Sequence, residues 1–154
     1  MSKTPLGRAL LLGLCASLIF VPIASAKNLR VAMVLWRGET EAEKGFRDGL
    51  KQQGDAVDYV VMNANQDRNE LGRLLREDLR PKLESFDYVY TYGTTVTLAA
   101  KTIVQDKVPV VFNIVADPVG AGLVKSVDAS GGNIAGVTNE VPPDAPPGCR
   151  RCHR

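Results

Sequence analysis

The sequence FDYVYTYGTTVTLAAKTIV, residues 86–104, contains a complete strand, turn and helix. Its first part, Phe86–Tyr92, is rich in aromatic and β-branched residues, which favours a β-strand. After Gly93, apolar residues recur at the spacing of one helix face. These residues are Val96, Ala99, Ala100, Ile103 and Val104. A strand that leads directly into an amphipathic helix is the repeating unit of a parallel α/β sheet.

The same alternation extends towards the N-terminus. Leu29–Trp36 is almost continuously apolar, as expected for a central strand that is covered on both faces. Thr40 and Glu43 have the spacing of a capping box, which predicts a helix that begins after Thr40 and ends at Gly54.

A second strand and helix lie between these two units. Val57–Asn63 is the strand, and the helix that follows carries four leucines on one face. The leucines are Leu71, Leu74, Leu75 and Leu79. Pro81 lacks a backbone donor, so we expect a break or kink near Arg80.

Downstream of residue 104 the pattern continues and then stops. Val108–Val115 predicts a fourth strand, Gly120–Val127 a short helix, and Ile134–Thr138 a last strand. Residues 140–154 include four prolines and no apolar period, so residues 139–154 are expected to be an irregular tail. The sequence therefore predicts an α/β fold in residues 27–138, with an open parallel sheet and helices on both faces.

The first 26 residues have the pattern of a secretory signal peptide. Lys3 and Arg8 provide a positive start, Ala9–Ile23 is apolar, and small residues lead up to Ala26. The apolar run is shorter than the roughly 20 residues that a membrane-spanning helix requires. We therefore expect cleavage after Ala26 and a periplasmic protein.

Composition and charge narrow the class of function. The chain has 154 residues, of which 45% are hydrophobic and 23% charged, as in an ordinary globular domain. Apart from Lys3 and Arg8, basic and acidic residues balance at 17 each. A neutral domain without a basic stripe gives no electrostatic basis for binding nucleic acid.

Candidate ligand-binding residues lie in the loops that follow the strands, because an open parallel sheet binds ligands beyond the carboxyl ends of its strands. The candidates are Trp36, Gly93, Thr94, Thr95, Asp117 and Asn139.

Three of these candidates, Gly93, Thr94 and Thr95, open the helix of residues 96–104. The free N–H groups and the dipole of a helix start favour a carboxylate or phosphate. Alternatively, Thr94 or Thr95 only caps the helix and Gly93 supplies the turn. No phosphate-binding glycine motif is present in the sequence, which disfavours a nucleotide ligand.

The other candidates also have two interpretations. Trp36 follows the first strand, where it can stack on a flat ligand or form a half-buried rim. Asp117 can bind a ligand amine or cap the short helix, with Pro118 in its first turn. Arg37 and Glu39 are interpreted as a solvated ion pair.

The sequence does not favour an enzyme. Its single histidine, His153, lies in the tail, and no Gly-x-Ser-x-Gly nucleophile motif occurs. Cys149, Cys152 and His153 form a C-x-x-C-H pattern, which is the attachment motif of haem c. An exported redox or haem protein is thus the alternative function. The two cysteines can also form a simple disulfide or remain free thiols. These three residues are too few for a structural zinc site. Apart from the haem of this alternative, neither a metal site nor a cofactor is expected.

Several segments resemble the ABC-transporter substrate-binding family, whose known ligands include aromatic amino acids. The matching segments are Glu43–Leu50 with its G-F-x-x-G-L pattern, Tyr92–Thr95, Ala99–Lys101, Val108–Phe112, Ala116–Val124 and Gly131–Thr138. The resemblance implies the first lobe of a type I periplasmic binding protein, which delivers a small solute to a membrane permease. It ends near Val141, so we expect a truncated copy without the second lobe.

Overall fold

A computed structural model describes residues 28–139, which form one five-stranded sheet. All strand pairs are parallel, and the strand order is β2-β1-β3-β4-β5. The strands are β1 (Leu29–Leu35), β2 (Val57–Asn63), β3 (Tyr88–Tyr92), β4 (Val110–Val115) and β5 (Ile134–Thr138). The predicted α/β class with an open parallel sheet is confirmed.

Three α-helices connect the first four strands. They are α1 (Glu41–Gln52), α2 (Arg68–Arg73) and α3 (Thr94–Val104). The segment after α2 continues as a π-helical turn, Leu74–Leu79, and then as a 3₁₀ helix, Arg80–Ser85. The helix geometry changes at Arg80, where the break was predicted. Pro81 lies in the first turn of the 3₁₀ helix, where its missing backbone N–H costs no hydrogen bond.

Apolar side chains cover both faces of the sheet. The larger cluster contains Ala32 and Val34 of β1 and packs against α2 and α3. The smaller cluster contains Val31, Met33 and Leu35 and packs against Phe46 of α1. Since successive side chains of β1 enter opposite clusters, β1 is the central strand that its continuous apolar sequence predicted.

A buried polar network fixes α1 against the sheet. The predicted capping box is present, with the Thr40 N–H and hydroxyl both 2.6 Å from Glu43 Oε2. Glu43 is fully buried, and its Oε1 accepts a hydrogen bond from the Tyr90 hydroxyl at 3.0 Å. Asn113 Nδ2 donates to the same hydroxyl at 3.1 Å. This network joins α1 to β3 and β4.

Two strands begin later than the sequence predicted. Phe86 and Val108 are buried core residues, yet pairing begins only at Tyr88 and Val110. Pro109 explains the delay in β4, because it has no N–H to donate to a neighbouring strand. β1 also ends one residue earlier than predicted, so that Trp36 lies just beyond the strand.

The predicted short helix Gly120–Val127 is wrong. This segment makes one turn, closed by the Gly120 N–H bond to Asp117 Oδ1 at 2.6 Å, and then continues as a loop. Gly122 has a φ of +67°, a left-handed conformation that ends a helix. The capping role considered for Asp117 is therefore present, although it caps a turn.

The predicted signal peptide and the C-x-x-C-H motif of Cys149, Cys152 and His153 lie outside the described residues. Within residues 28–139, no helix has both the length and the apolar character required to cross a bilayer.

Candidate functional site

The strand order places a crevice between β1 and β3. Chain connections leave these two adjacent strands towards opposite sides of the sheet, so their following loops diverge at this point. A cavity of about 250 Å³ lies there. It is lined by Trp36, Arg37, Tyr92, Gly93, Thr94, Thr95, Val96 and Ile114.

The N-terminus of α3 forms the polar wall of this cavity. The first bond of the helix runs from the Thr97 N–H to the Gly93 carbonyl, at 3.1 Å. The N–H groups of Thr94, Thr95 and Val96 precede that bond, so the helix itself gives them no acceptor. Together with the positive end of the helix dipole, these three donors favour an anionic group in the cavity.

The interpretation of Thr94 or Thr95 as the helix cap is wrong. Gly93 occupies the cap position with φ +83° and ψ 160°, and no side chain bonds to the first turn. Such a conformation belongs almost only to glycine, which explains why the cap residue is not a threonine. Within the described part of the chain, both hydroxyls are left without a hydrogen bond, so they are available to a ligand.

Buried hydroxyls hold the Gly93 turn in place. Thr97 Oγ1 donates to the Gly93 carbonyl at 2.7 Å and lies 2.9 Å from Thr91 Oγ1. Thr91 and Thr97 are both fully buried. The Gly93 N–H also donates to the Asn113 carbonyl at 2.9 Å. The donors of the cavity wall are therefore fixed before any ligand arrives.

Arg37 adds a cationic group to the site. Its Nη2 donates to the Tyr92 hydroxyl at 3.1 Å, and its guanidinium carbon lies 5.5 Å from the centre of the Tyr92 ring. The predicted pair of Arg37 with Glu39 is wrong, because Glu39 instead bonds to Arg47 on α1. The turn at Gly38, with φ +85°, separates the two side chains.

Aromatic and apolar side chains form the other wall. Trp36 is half-buried, packs against the larger core cluster and also lines the cavity. It thus serves as the predicted rim residue and remains available for stacking. Tyr92 and Ile114 complete this wall.

Asp117 and Asn139 lie outside the cavity lining. Asp117 is exposed and caps its turn, and the Asn139 N–H bonds to the Val115 carbonyl at 3.2 Å. Of the predicted ligand residues, the structure therefore brings together Trp36 and the segment Gly93–Thr95. Contacts of Asp117 and Asn139 with a ligand stay a prediction.

Four of the lining residues were not among the predicted ligand contacts: Arg37, Tyr92, Val96 and Ile114. The predicted contacts lie in the loops after the strands, whereas Tyr92 is the last residue of β3 and Ile114 lies near the end of β4. Including the last two positions of each strand would have found both. For Arg37, the sequence predicted an ion pair with Glu39 and no contact with a ligand.

One ionisable group below the site is shifted by its surroundings. Burial raises the pKa of the Tyr90 hydroxyl well above its usual range, and the nearby Glu43 carboxylate contributes to the shift. Tyr90 therefore stays a neutral donor to Glu43. Among residues 28–139, no three His, Cys, Asp or Glu side chains are grouped as a metal site.

Residues 31–145 match the model of a protein family described as ABC transporter substrate binding protein. The chain belongs to this family. The family comprises solute-binding proteins and is not a class of enzymes; its members bind small molecules, work with ABC transporter permeases and typically act outside the cytoplasm.

The chain is also similar to one curated protein. It is 29% identical over 118 residues to a tyrosine-binding protein of Clostridioides difficile, covering 73% of this chain and 33% of that protein. The chain therefore spans about a third of this curated relative.

Solved structures share the fold. An ABC domain from Streptococcus pneumoniae, in complex with L-Trp, superposes with a TM-score of 0.63 at 24% identity, over 73% of this chain and 39% of that one. A conserved domain protein from Vibrio cholerae gives a TM-score of 0.65 at 25% identity, over 75% and 40%.

Proposed function

We propose that this domain captures a small amino acid-like solute in the cavity between β1 and β3, as the solute-binding component of an ABC transporter. The observation that carries the proposal is the pairing of two unlike walls in one cavity. One wall offers unpaired donors, and the other offers aromatic and aliphatic surface. The guanidinium of Arg37 lies against Tyr92 of this second wall.

The polar wall suits a carboxylate. Thr94, Thr95 and Val96, which carry the three free backbone donors at the start of α3 and two hydroxyls, line the same cavity as Arg37. Charge-assisted hydrogen bonds are roughly twice as strong as neutral ones. A carboxylate would therefore bind there better than a neutral group of the same shape.

The apolar wall suits the side chain of the ligand. Trp36, Tyr92 and Ile114 can pack against a ring or a branched aliphatic group. The volume of about 250 Å³ lies just below the roughly 300–1,000 Å³ of pockets that hold drug-sized ligands, so it is suited to a solute of amino-acid size. The relatives named for tyrosine and solved with L-Trp support this class of ligand.

The remaining predicted contacts belong to a wider ligand surface. Asp117 and Asn139 follow β4 and β5, at the same edge of the sheet as the cavity. We propose that they contact parts of the ligand that extend beyond the cavity.

The proposed setting of this domain follows its family. Residues 27–138 would act as one lobe in the periplasm after cleavage of a signal peptide behind Ala26, and a membrane ABC permease would receive the solute. Family membership and the pattern of the first 26 residues support this setting.

Isothermal titration of the full chain with L-tyrosine, L-tryptophan and L-leucine tests the proposal. The amide of each amino acid, which lacks the negative carboxylate, should bind roughly tenfold or more weakly, since a hydrogen bond to a charged group contributes about 1.5–3 kcal/mol. Arg37→Gln should reduce the affinity for the free acids and leave that for the amides nearly unchanged. Arg80→Gln, an exposed arginine of the 3₁₀ helix, is the matched control. Equal binding of acids and amides would contradict a carboxylate site.

A further inference from the structure

We propose that Ile114 determines how large a ligand side chain the cavity admits. This inference rests on the proposed function, because it concerns the same cavity. It starts from an irregularity in β4, where the pairing register with β5 shifts between Asn113 and Val115.

The irregularity is one extra residue in β4. Asn113 pairs with Val137 of β5, and Val115 pairs with the next residue, Thr138. Ile114 has no partner in this register, so it is the additional residue of a β-bulge. Bulges bend a strand locally and redirect side chains, often beside functional sites.

The bulge changes which face of the sheet each side chain reaches. Phe112 and Val115 are both buried in the larger core cluster, although they are three residues apart. In an unbroken strand this odd spacing would place them on opposite faces. The bulge restores Val115 to the core, and Ile114 belongs to neither core cluster. Ile114 instead lines the cavity.

The backbone at Ile114 is held in an unfavourable conformation. Its φ is +56°, which is a true outlier for a β-branched residue. Residues on both sides hold the bulge in place. Asn113 bonds to Tyr90 and Gly93, while the Val115 carbonyl accepts from the Thr138 hydroxyl at 2.8 Å and from the Asn139 N–H at 3.2 Å.

Ile114 is therefore a branched apolar residue at a position where glycine would be less strained. It shares the cavity with the two aromatic side chains, Trp36 and Tyr92. Its volume is subtracted directly from the space left for the ligand side chain. We conclude that Ile114 limits ligand size by occupying this space.

A series of substitutions at Ile114 tests the inference in the full chain. Ile114→Gly, Ile114→Val and Ile114→Phe change the volume of the wall in graded steps, and Ile114→Val keeps the branched shape. The measurement is the ratio of the affinities for L-tryptophan and L-leucine. We expect Ile114→Gly to raise the ratio roughly tenfold or more, since one methylene in an apolar pocket changes discrimination by about 10–200-fold. Ile114→Val should raise it less, and Ile114→Phe should lower it.

A matched control separates this effect from general loosening of the sheet. Val137→Ala shortens an exposed β-branched residue of β5, outside the cavity lining, and should leave the ratio unchanged. If the wild-type chain binds these amino acids but the ratio stays constant across the series, the inference on Ile114 is wrong and the proposed function stands. If the wild-type chain binds neither amino acid, both are wrong.

Discussion

Replacing Tyr90 with phenylalanine removes one hydroxyl from the centre of the buried network. Tyr90 is 1% exposed, and Glu43, its acceptor, is 0% exposed. The hydroxyl donates to Glu43 at 3.0 Å and accepts from Asn113 at 3.1 Å. Without it, the carboxylate retains only its bonds from Thr40.

The expected loss of stability follows from these two bonds. A hydrogen bond to a charged group contributes roughly 1.5–3 kcal/mol, and one between neutral groups about 0.5–1.5 kcal/mol. The ring itself stays packed against Phe46, with 4.6 Å between the ring centres. Because phenylalanine also avoids burying a polar oxygen, we expect Tyr90→Phe to lower the free energy of unfolding by about 2–3 kcal/mol.

Urea denaturation followed by circular dichroism measures this change. Tyr88→Phe is the matched control, because Tyr88 lies on the same strand and is 39% exposed. It should change the free energy of unfolding by less than about 0.5 kcal/mol. If Tyr90→Phe costs no more than Tyr88→Phe, the network does not stabilise the fold and the reasoning is refuted.

Three further predictions concern pH and glycine. Burial raises the folded-state pKa of Tyr90 and of Tyr59, so the free energy of unfolding should decline above pH about 10. Tyr90→Phe should flatten this decline in denaturation curves measured from pH 8 to 11. An unchanged slope would contradict the role of Tyr90 in the pH dependence. Gly93→Ala should lower the free energy of unfolding by about 1–3 kcal/mol through backbone strain alone, since the new methyl group would meet nothing within 4 Å. Calorimetric titration should also show weaker ligand binding. An unchanged free energy of unfolding would contradict the strained turn. Gly136→Ala should lower the melting temperature, because its new methyl group would collide with the β4 backbone. Gly45→Ala meets no such contact and should raise the melting temperature, since alanine inside a helix is more stable than glycine by roughly 0.5–1 kcal/mol.

Local signals predicted most of the fold. The capping box of Thr40 and Glu43 and the limits of β2 and β5 depend on residues close in sequence, and the structure confirms them. The absent helix after Pro118 shows where such signals fail. Gly122 adopts a left-handed conformation that ends the turn, and the sequence alone does not show which glycine will do so.

The site was predictable only in part, for a related reason. The strand-end rule located Trp36 and Gly93 because both follow a strand directly. The cavity contact of Ile114 depends on a register shift between β4 and β5. A bulge is defined by how a strand pairs with its partner, so the sequence of β4 alone does not show which residue will be the extra one.

The most direct test of the central claim is an NMR titration of the ¹⁵N-labelled full chain with L-tyrosine, and then with its amide. Binding in the cavity between β1 and β3 predicts saturable shifts of the backbone amides of Thr94, Thr95 and Val96 and of the Trp36 indole N–H. The amide should need roughly tenfold or higher concentrations to produce the same shifts. An absence of shifts, or shifts confined to the loop of residues 118–130, would contradict the claim.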